Sequence, residues 1–199
     1  STVNVAIEAG KAISEMLIEM KAKVITSNQS QLDAASRTAL HNDFIALRDQ
    51  IATIVATAEF NGVNLISRAA TTLQVLSTID GSQIQISGQK MDTTTLAVNA
   101  STLLTSAGAL TALTAVNAAI ISVSNQLAAF GAGAKRLDIQ ADFTTKLVDI
   151  LTDGIGNLVD ADMAEESAKL SALQVKQQLG VQALSIANAT PQVILRLFQ

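Results

Sequence analysis

Cysteine, tryptophan and tyrosine are absent from the 199 residues, and proline occurs once, at Pro191. Without Cys there is neither a disulfide framework nor a thiolate metal site, and the absence fits both cytosol and exterior. A single Pro leaves the backbone free to run as long, uninterrupted helices. Five Phe are the only aromatic residues, so the apolar surface is carried by Ala, Leu, Ile and Val. Ala and Leu are strong helix formers, and their small shapes suit close helix packing better than a bulky globular core. Thirteen basic and seventeen acidic residues leave a net charge of −4 with no basic cluster. The electrostatic footprint of a nucleic-acid-binding protein is missing. No basic stretch precedes an apolar run between Ser1 and Gly10, so the start does not read as a signal peptide. The absence of an initiator Met and a start inside a helical pattern read as a truncated chain.

What is present is apolar and periodic. A 49% hydrophobic composition and a mean hydropathy of +0.36 exclude disorder. Val3, Ile7, Ile13, Leu17, Met20 and Val24 fall roughly on one helical face, and the polar run Thr26–Ser30 breaks the pattern. From Gln31 to Ala58 it resumes with Leu40, Phe44, Leu47, Ile51, Ile54 and Ala58, in steps of four and three. Asn61-Gly62 then predicts a turn with positive backbone φ. Between Asn64 and roughly Thr105 the period changes: Leu73, Val75 and Ile79 lead to Asp80-Gly81, after which Ile84 and Ile86 alternate with polar residues. Alternation about Asp-Gly predicts a small β-hairpin, which must lean on helices to be stable.

The longest pattern runs through Val116, Ile120, Val123, Leu127, Phe130, Ala134, Leu137, Ala141, Thr144, Val148, Leu151 and Ile155, again in unbroken steps of four and three. Such a repeat keeps one stripe against a neighbour along a helix of about 60 Å, at about 1.5 Å per residue. This seam is expected to pack on Val3–Val24 and Leu40–Ala58. Gly154, Gly156 and Asn157 predict a loosened joint. Asp160, Asp162, Glu165 and Glu166 follow as capping carboxylates at the start of a last helix. That helix carries Leu170, Leu173, Val175, Leu179, Val181, Leu184 and Ile186 around most of its circumference, so other helices or lipid must bury it. Pro191 is expected to interrupt it before a further apolar patch containing Ile194, Leu197 and Phe198.

Candidate chemistry is sparse. His41, the sole histidine, has only Arg37, Thr38, Phe44 and Ile45 at helical spacing, none of them a metal ligand in a protein site. The acidic group at 160–166 lacks the ligand spacing and Gly of a calcium loop. No Ser-His-Asp set and no glycine-rich phosphate loop is evident. No catalytic residue, cofactor or metal is expected. Thr93–Ala134 contains no charged residue, but Asn99, Asn117, Asn125, Gln126 and many Ser and Thr interrupt it, which argues against a membrane span.

Three segments carry a resemblance to bacterial flagellin. Glu59-Phe60-Asn61-Gly62-Val63-Asn64-Leu65 resembles the turn after that family's second long N-terminal helix. Asn157 to Ser167 is similar to the opening of its C-terminal region, and Leu173 to Asn188 continues the match into an apolar tail, Leu195 to Gln199. Nearly the whole chain is covered, with the short flagellins of alphaproteobacteria nearest in pattern. The resemblance implies a mainly α fold: long antiparallel helices of a rod domain with a small β-hairpin, plus a C-terminal apolar helix. It divides the chain into N-terminal rod helices (1–63), hairpin and connection (64–108), a long C-terminal rod helix (109–156) and an inner-tube helix (157–199).

The function so implied is that of a secreted structural subunit, self-assembling into the extracellular flagellar filament for motility. Its partners would be other flagellin subunits and a flagellar secretion chaperone or the type III export apparatus. Leu170, Leu173, Val175, Leu179, Val181, Leu184, Ile186, Ile194, Leu197 and Phe198 are the candidate packing or chaperone-binding residues. Val116, Ile120, Val123, Leu127, Phe130, Leu137, Val148 and Leu151 are the rod core seam. The alternatives are a hook–filament junction protein and, from another class, a membrane-active helical toxin.

Overall fold

The computed structural model describes residues 1–77 and 81–197, with side chains described at 1–77, 81–160 and 162–187. Helix α1 spans Thr2–Ser27, α2 spans Ala34–Thr57, strands β1 and β2 span Leu73–Leu76 and Gln83–Ile86, and α3 spans Ser106–Leu197. Contacts divide the chain into two compact units, Ser1–Asp142 and Phe143–Gln199.

In the first unit the core follows the spacing of the buried residues. Along α1 these are Val3, Ala6, Gly10, Ile13, Leu17, Met20, Val24 and Ser27, in unbroken steps of three and four. Along α3 they are Ala109, Ala112, Val116, Ala119, Val123 and Phe130, with Ile120, Leu127, Ala134 and Leu137 packed half-buried beside them. From α2 come Phe44, Ile51 and Val55. Sequence periodicity located this stripe but passed over Ala6 and Gly10, whose small side chains add little to an apolar pattern. Gly10 matters for its size: a Cβ there would lie 2.8 Å from Leu127 Cδ2 and 3.2 Å from Met91 Cε. The absent side chain is the space into which α3 and the 91 loop pack.

The ends of the helices are tied by polar contacts. Asp33 caps α2, its carboxylate accepting from the Ser36 backbone N–H at 2.8 Å and the Ser36 hydroxyl at 2.7 Å. Arg37, on the first turn of α2, is buried and donates to the Ser27 carbonyl and, at 3.1 Å, to the Gln29 carbonyl. Its guanidinium thereby satisfies carbonyls left over where α1 stops. Ser27 Oγ donates to the Leu103 carbonyl at 2.9 Å, and the Leu103 N–H approaches His41 Nδ1 at 3.4 Å. His41 is therefore a packing residue at the junction of α1, α2 and the chain entering α3.

After α2, Asn61 and Gly62 have φ of 51° and 77°, and Phe60 and Val63 exchange both backbone hydrogen bonds, at 3.0 and 3.1 Å. Two successive positive φ values inside such a pair make the turn the Asn-Gly step predicts. Strands β1 and β2 pair antiparallel, with Leu73 opposite Ile86 and Leu76 opposite Gln83. Gly81 has φ +83°, while Asp80 and Ile79 lie outside the described residues. The hairpin leans on α3 as its small size requires: Ile86 is buried, and a Cβ on Gly133 would meet it at 3.3 Å. A one-turn helical segment follows, capped by Asp92 through the Thr95 N–H and hydroxyl at 3.1 and 2.6 Å. It ends with Ala97 at φ 57°, where the Val98 N–H reaches the Thr93 carbonyl and the Ala97 N–H the Thr94 carbonyl. These crossed bonds form a Schellman ending, with Ala where Gly is usual.

Two expectations need correction. Gly154, Gly156 and Asn157 do not break the helix, and Pro191 lies within the bounds of α3. Each exposed Gly costs a helix only about 1 kcal/mol, which neighbouring Leu, Ile and Ala residues absorb. Consequently Asp160, Asp162, Glu165 and Glu166 sit inside a continuous helix rather than at an N-terminus. Glu165 and Glu166 instead pair with Lys169, at 3.0 and 3.9 Å. The ion pairs are well exposed and contribute at most a few tenths of a kcal/mol, by about the measure of other i,i+4 pairs.

Two measurements check this packing. Gly10→Leu overfills the α1–α3 contact and lowers the unfolding free energy by about 1–3 kcal/mol in urea titration; unchanged stability would show that the contact is not tight. The Asp33 carboxyl is held below its ordinary value of 3.8 by the Ser36 amide and hydroxyl. For Asp92, burial pushes the value up, but the Thr95 hydroxyl and amide outweigh it and the net shift is downward. Lowered folded-state values stabilise the fold above the unfolded carboxylate range, and that stability is lost as pH falls through them. Asp33→Asn and Asp92→Asn, which keep a capping oxygen, should flatten the acid limb of the stability–pH curve below about pH 4.

Candidate assembly surface

The second unit, Phe143–Gln199, consists of α3 alone as far as it is described, to Leu197. A helix with no second element in its unit has nothing to bury its side chains in, whatever their chemistry. Accordingly every large apolar residue described between Phe143 and Ile186 is exposed, from 41% at Leu147 to 73% at Leu158. Val148 and Leu151, expected to pack in the rod seam, are each 54% exposed. The heptad pattern continues past Leu137, but burial in the single chain does not. Val116, Val123 and Phe130 are fully buried, with Ile120, Leu127 and Leu137 half-buried against the same core.

Among the candidate packing residues, Leu170, Leu173, Val175, Leu179, Val181, Leu184 and Ile186 are 54–70% exposed. At about 100° per residue they form two stripes rather than a continuous coat. Leu170, Leu173, Val181 and Leu184 share one side, and Val175, Leu179 and Ile186 share the opposite side. Ser171, Gln174, Gln178, Gln182 and Ser185 fill one gap between the stripes, and Lys169 and Lys176 lie in the other. A helix with two opposed apolar stripes is suited to lie between two neighbours. Ile194, Leu197 and Phe198 lie outside the residues whose side chains are described.

Sequence reasoning missed further exposed apolar residues. Phe143, Ile150, Val159 and Met163, which lie off the seam, and Leu158, one step beyond its end at Ile155, lengthen the apolar surface of the second unit. In the first unit Ile18, Ile25, Leu110 and Ile121 are more than half exposed. The available signal was apolar residues at positions that the heptad seam does not use. By length and composition α3 could cross a membrane, with an 18-residue window of mean hydropathy 1.6, but 28% of that window is buried within the protein. Among the described residues no cluster of His, Cys, Asp or Glu could hold a metal ion.

Comparison with known proteins identifies the family. Residues 1–71 match the bacterial flagellin N-terminal helical region, and residues 113–198 match the bacterial flagellin C-terminal helical region. Flagellin FljM of Caulobacter vibrioides is 43% identical over 200 residues, covering 100% of this chain and 73% of that protein. A flagellin of Brucella melitensis is 33% identical over 210 residues, covering 99% and 74%. Among solved structures, the crystal structure of Bacillus cereus flagellin superposes with a TM-score of 0.65 at 23% identity, over 71% of this chain and 83% of that one; it speaks to the fold. The relatives are flagellins, which displaces the hook–filament junction and toxin alternatives. The chain belongs to the flagellin family of short alphaproteobacterial type, and is a structural, non-enzymatic subunit of the extracellular bacterial flagellar filament.

Proposed function

We propose that the two opposed stripes on α3 are the polymerisation surface of this flagellin, each covered in the filament by a helix of the surrounding array. In this reading residues 157–199 form the inner tube, and residues 1–63, 64–108 and 109–156 form the rod domain around it. One observation carries the reading: all the large apolar side chains described between Phe143 and Ile186 are exposed in the single chain. Fully burying each such side chain contributes about 1.5–3 kcal/mol, so association of many copies is strongly favoured. Head-to-tail contacts that do not close generate an open helical polymer.

The same stripes must be covered before assembly. A flagellar secretion chaperone or the export apparatus is the fitting partner, presenting apolar grooves to an amphipathic helix. Ile194, Leu197 and Phe198 are assigned to this contact on sequence grounds. Without such a partner the segment 162–188 should order only by self-association. A monodisperse monomer whose NMR spectrum shows that segment stably helical would overturn this part of the proposal.

Leu184→Asp and Leu179→Asp test the two stripes separately. Each places a carboxylate in a buried contact, which costs several kcal/mol unless it is paired. The concentration needed for filament growth should rise at least about tenfold for either variant, each factor of ten corresponding to about 1.4 kcal/mol. The unfolding transition of residues 1–142 should be unchanged. Filaments growing at the unsubstituted protein's concentration would exclude that stripe from the interface.

A further inference from the structure

Asn61-Gly62 is the only Asn-Gly step in the sequence, and the structure leaves it chemically open. Both residues are exposed, and nothing lies within 4 Å of where a Gly62 Cβ would stand. Among the described hydrogen bonds, the two that close the turn belong to Phe60 and Val63; neither the Asn61 carboxamide nor the Gly62 N–H is engaged. Asn64, three residues on, is the contrast. Its Nδ2 donates to the Val55 carbonyl at 2.7 Å, and its Oδ1 accepts from the Ile66 and Ser67 N–H groups at 3.0 and 2.9 Å. Leu65 behind it is buried.

We infer that Asn61-Gly62 is a site of spontaneous covalent modification, at which the Asn61 carboxamide is lost through a cyclic imide. Gly62 gives up its amide proton to hydroxide or water, and its nitrogen forms a bond to Asn61 Cγ. The Cγ–nitrogen bond of the carboxamide breaks and ammonia leaves. Water then adds to one of the two imide carbonyls, opening the ring to aspartate or to an isoaspartyl linkage. No oxidation or reduction occurs, and water is the only co-reactant. Glycine is the favoured neighbour because no Cβ obstructs the approach of its nitrogen. The left-handed backbone at 61 and 62 must rotate for attack, so conversion proceeds through local opening of a turn that two hydrogen bonds hold.

The isoaspartyl product carries the main chain through Cβ and adds one carbon to the backbone of the turn. The Phe60 and Val63 groups, now 3.0 and 3.1 Å from their partners, then fall out of register. The modification therefore unfastens the connection between α2 and the Leu65–Ile66 segment of the core, while the aspartyl product leaves it closed.

The test is to incubate the folded full-length chain at neutral and mildly alkaline pH in water enriched in heavy oxygen, and to map its peptides by mass spectrometry. Heavy-oxygen carboxylate should appear at position 61 at least about tenfold faster than at Asn64, whose three side-chain hydrogen bonds must break first. The rate should rise with pH, because the nucleophile is the deprotonated amide, and isoaspartate should accompany aspartate. Asn61→Gln, whose longer side chain closes a six-membered ring poorly, should remove the signal. Amide exchange at Phe60 and Val63 should accelerate only in the isoaspartyl fraction. Equal rates at positions 61 and 64, or aspartate with no isoaspartate, would overturn the inference. So would conversion in the folded chain more than about a hundredfold slower than in urea, since the turn would then lock the unreactive geometry.

Discussion

Burial at every third and fourth residue along α1, matched by the same spacing on α3 from Ala109 to Phe130, is the constraint that the first unit obeys throughout. The match demands close approach, and close approach demands small residues. Gly10 beneath Leu127, and Ala6, Ala112 and Ala119 in the same core, let the helices come near enough for Val, Leu and Ile to interdigitate. An Ala- and Leu-rich sequence nearly free of aromatics is what such a seam needs, since large rings would hold the axes apart. Phe44 and Phe130 are the largest fully buried side chains, and the rest of the core is aliphatic.

A seam alone leaves the connections undetermined, and short polar contacts fix these. Arg37 takes up carbonyls at the end of α1, Ser27 holds the Leu103 carbonyl, and Asn64 satisfies three backbone groups between α2 and the hairpin. A buried Arg facing only carbonyls would be costly if its N–H groups were left unmatched, and here the end of a helix supplies the acceptors. Gly88 serves the same purpose by its size: a Cβ there would lie 2.7 Å from the Thr71 carbonyl oxygen that its own N–H binds at 3.1 Å. The contacts of Arg37 and Asn64 close the connections within ten residues, while those of Ser27 and Gly88 join segments far apart in sequence, 76 residues for Ser27 and Leu103.

That separation decides what was legible beforehand. The helices, the hairpin and the left-handed turn at Asn61-Gly62 were all readable, because each is written in local spacing or local backbone preference. The roles of Arg37, Ser27 and His41 were not, since their partners lie 8, 76 and 62 residues away and carry no pattern of their own. The misplaced joint at Gly154–Asn157 and the misread caps at Asp160–Glu166 share another cause. Glycine and acidic residues are boundary signals only by tendency, and about 1 kcal/mol per Gly does not stop a helix rich in Leu, Ile and Ala. The second unit's candidate surface was legible from the apolar residues on an expected helix, and their sorting into two opposed stripes follows from the same spacing at about 100° per residue.

The contrast between the two units then follows from one material used in two ways. Val123 and Val148 are the same residue on the same helix, both on one run of four-and-three steps, yet one is fully buried and the other 54% exposed. In the first unit one stripe of α3 meets a complementary stripe on α1, so a single chain satisfies it. In the second unit, opposed stripes at about 100° per residue cannot both be satisfied by any one straight neighbour. A helix of that kind is complete only between two others. On the proposed reading, folding of the first unit within the chain and burial of the second between chains both follow from how many faces of the helix are apolar rather than from how apolar it is.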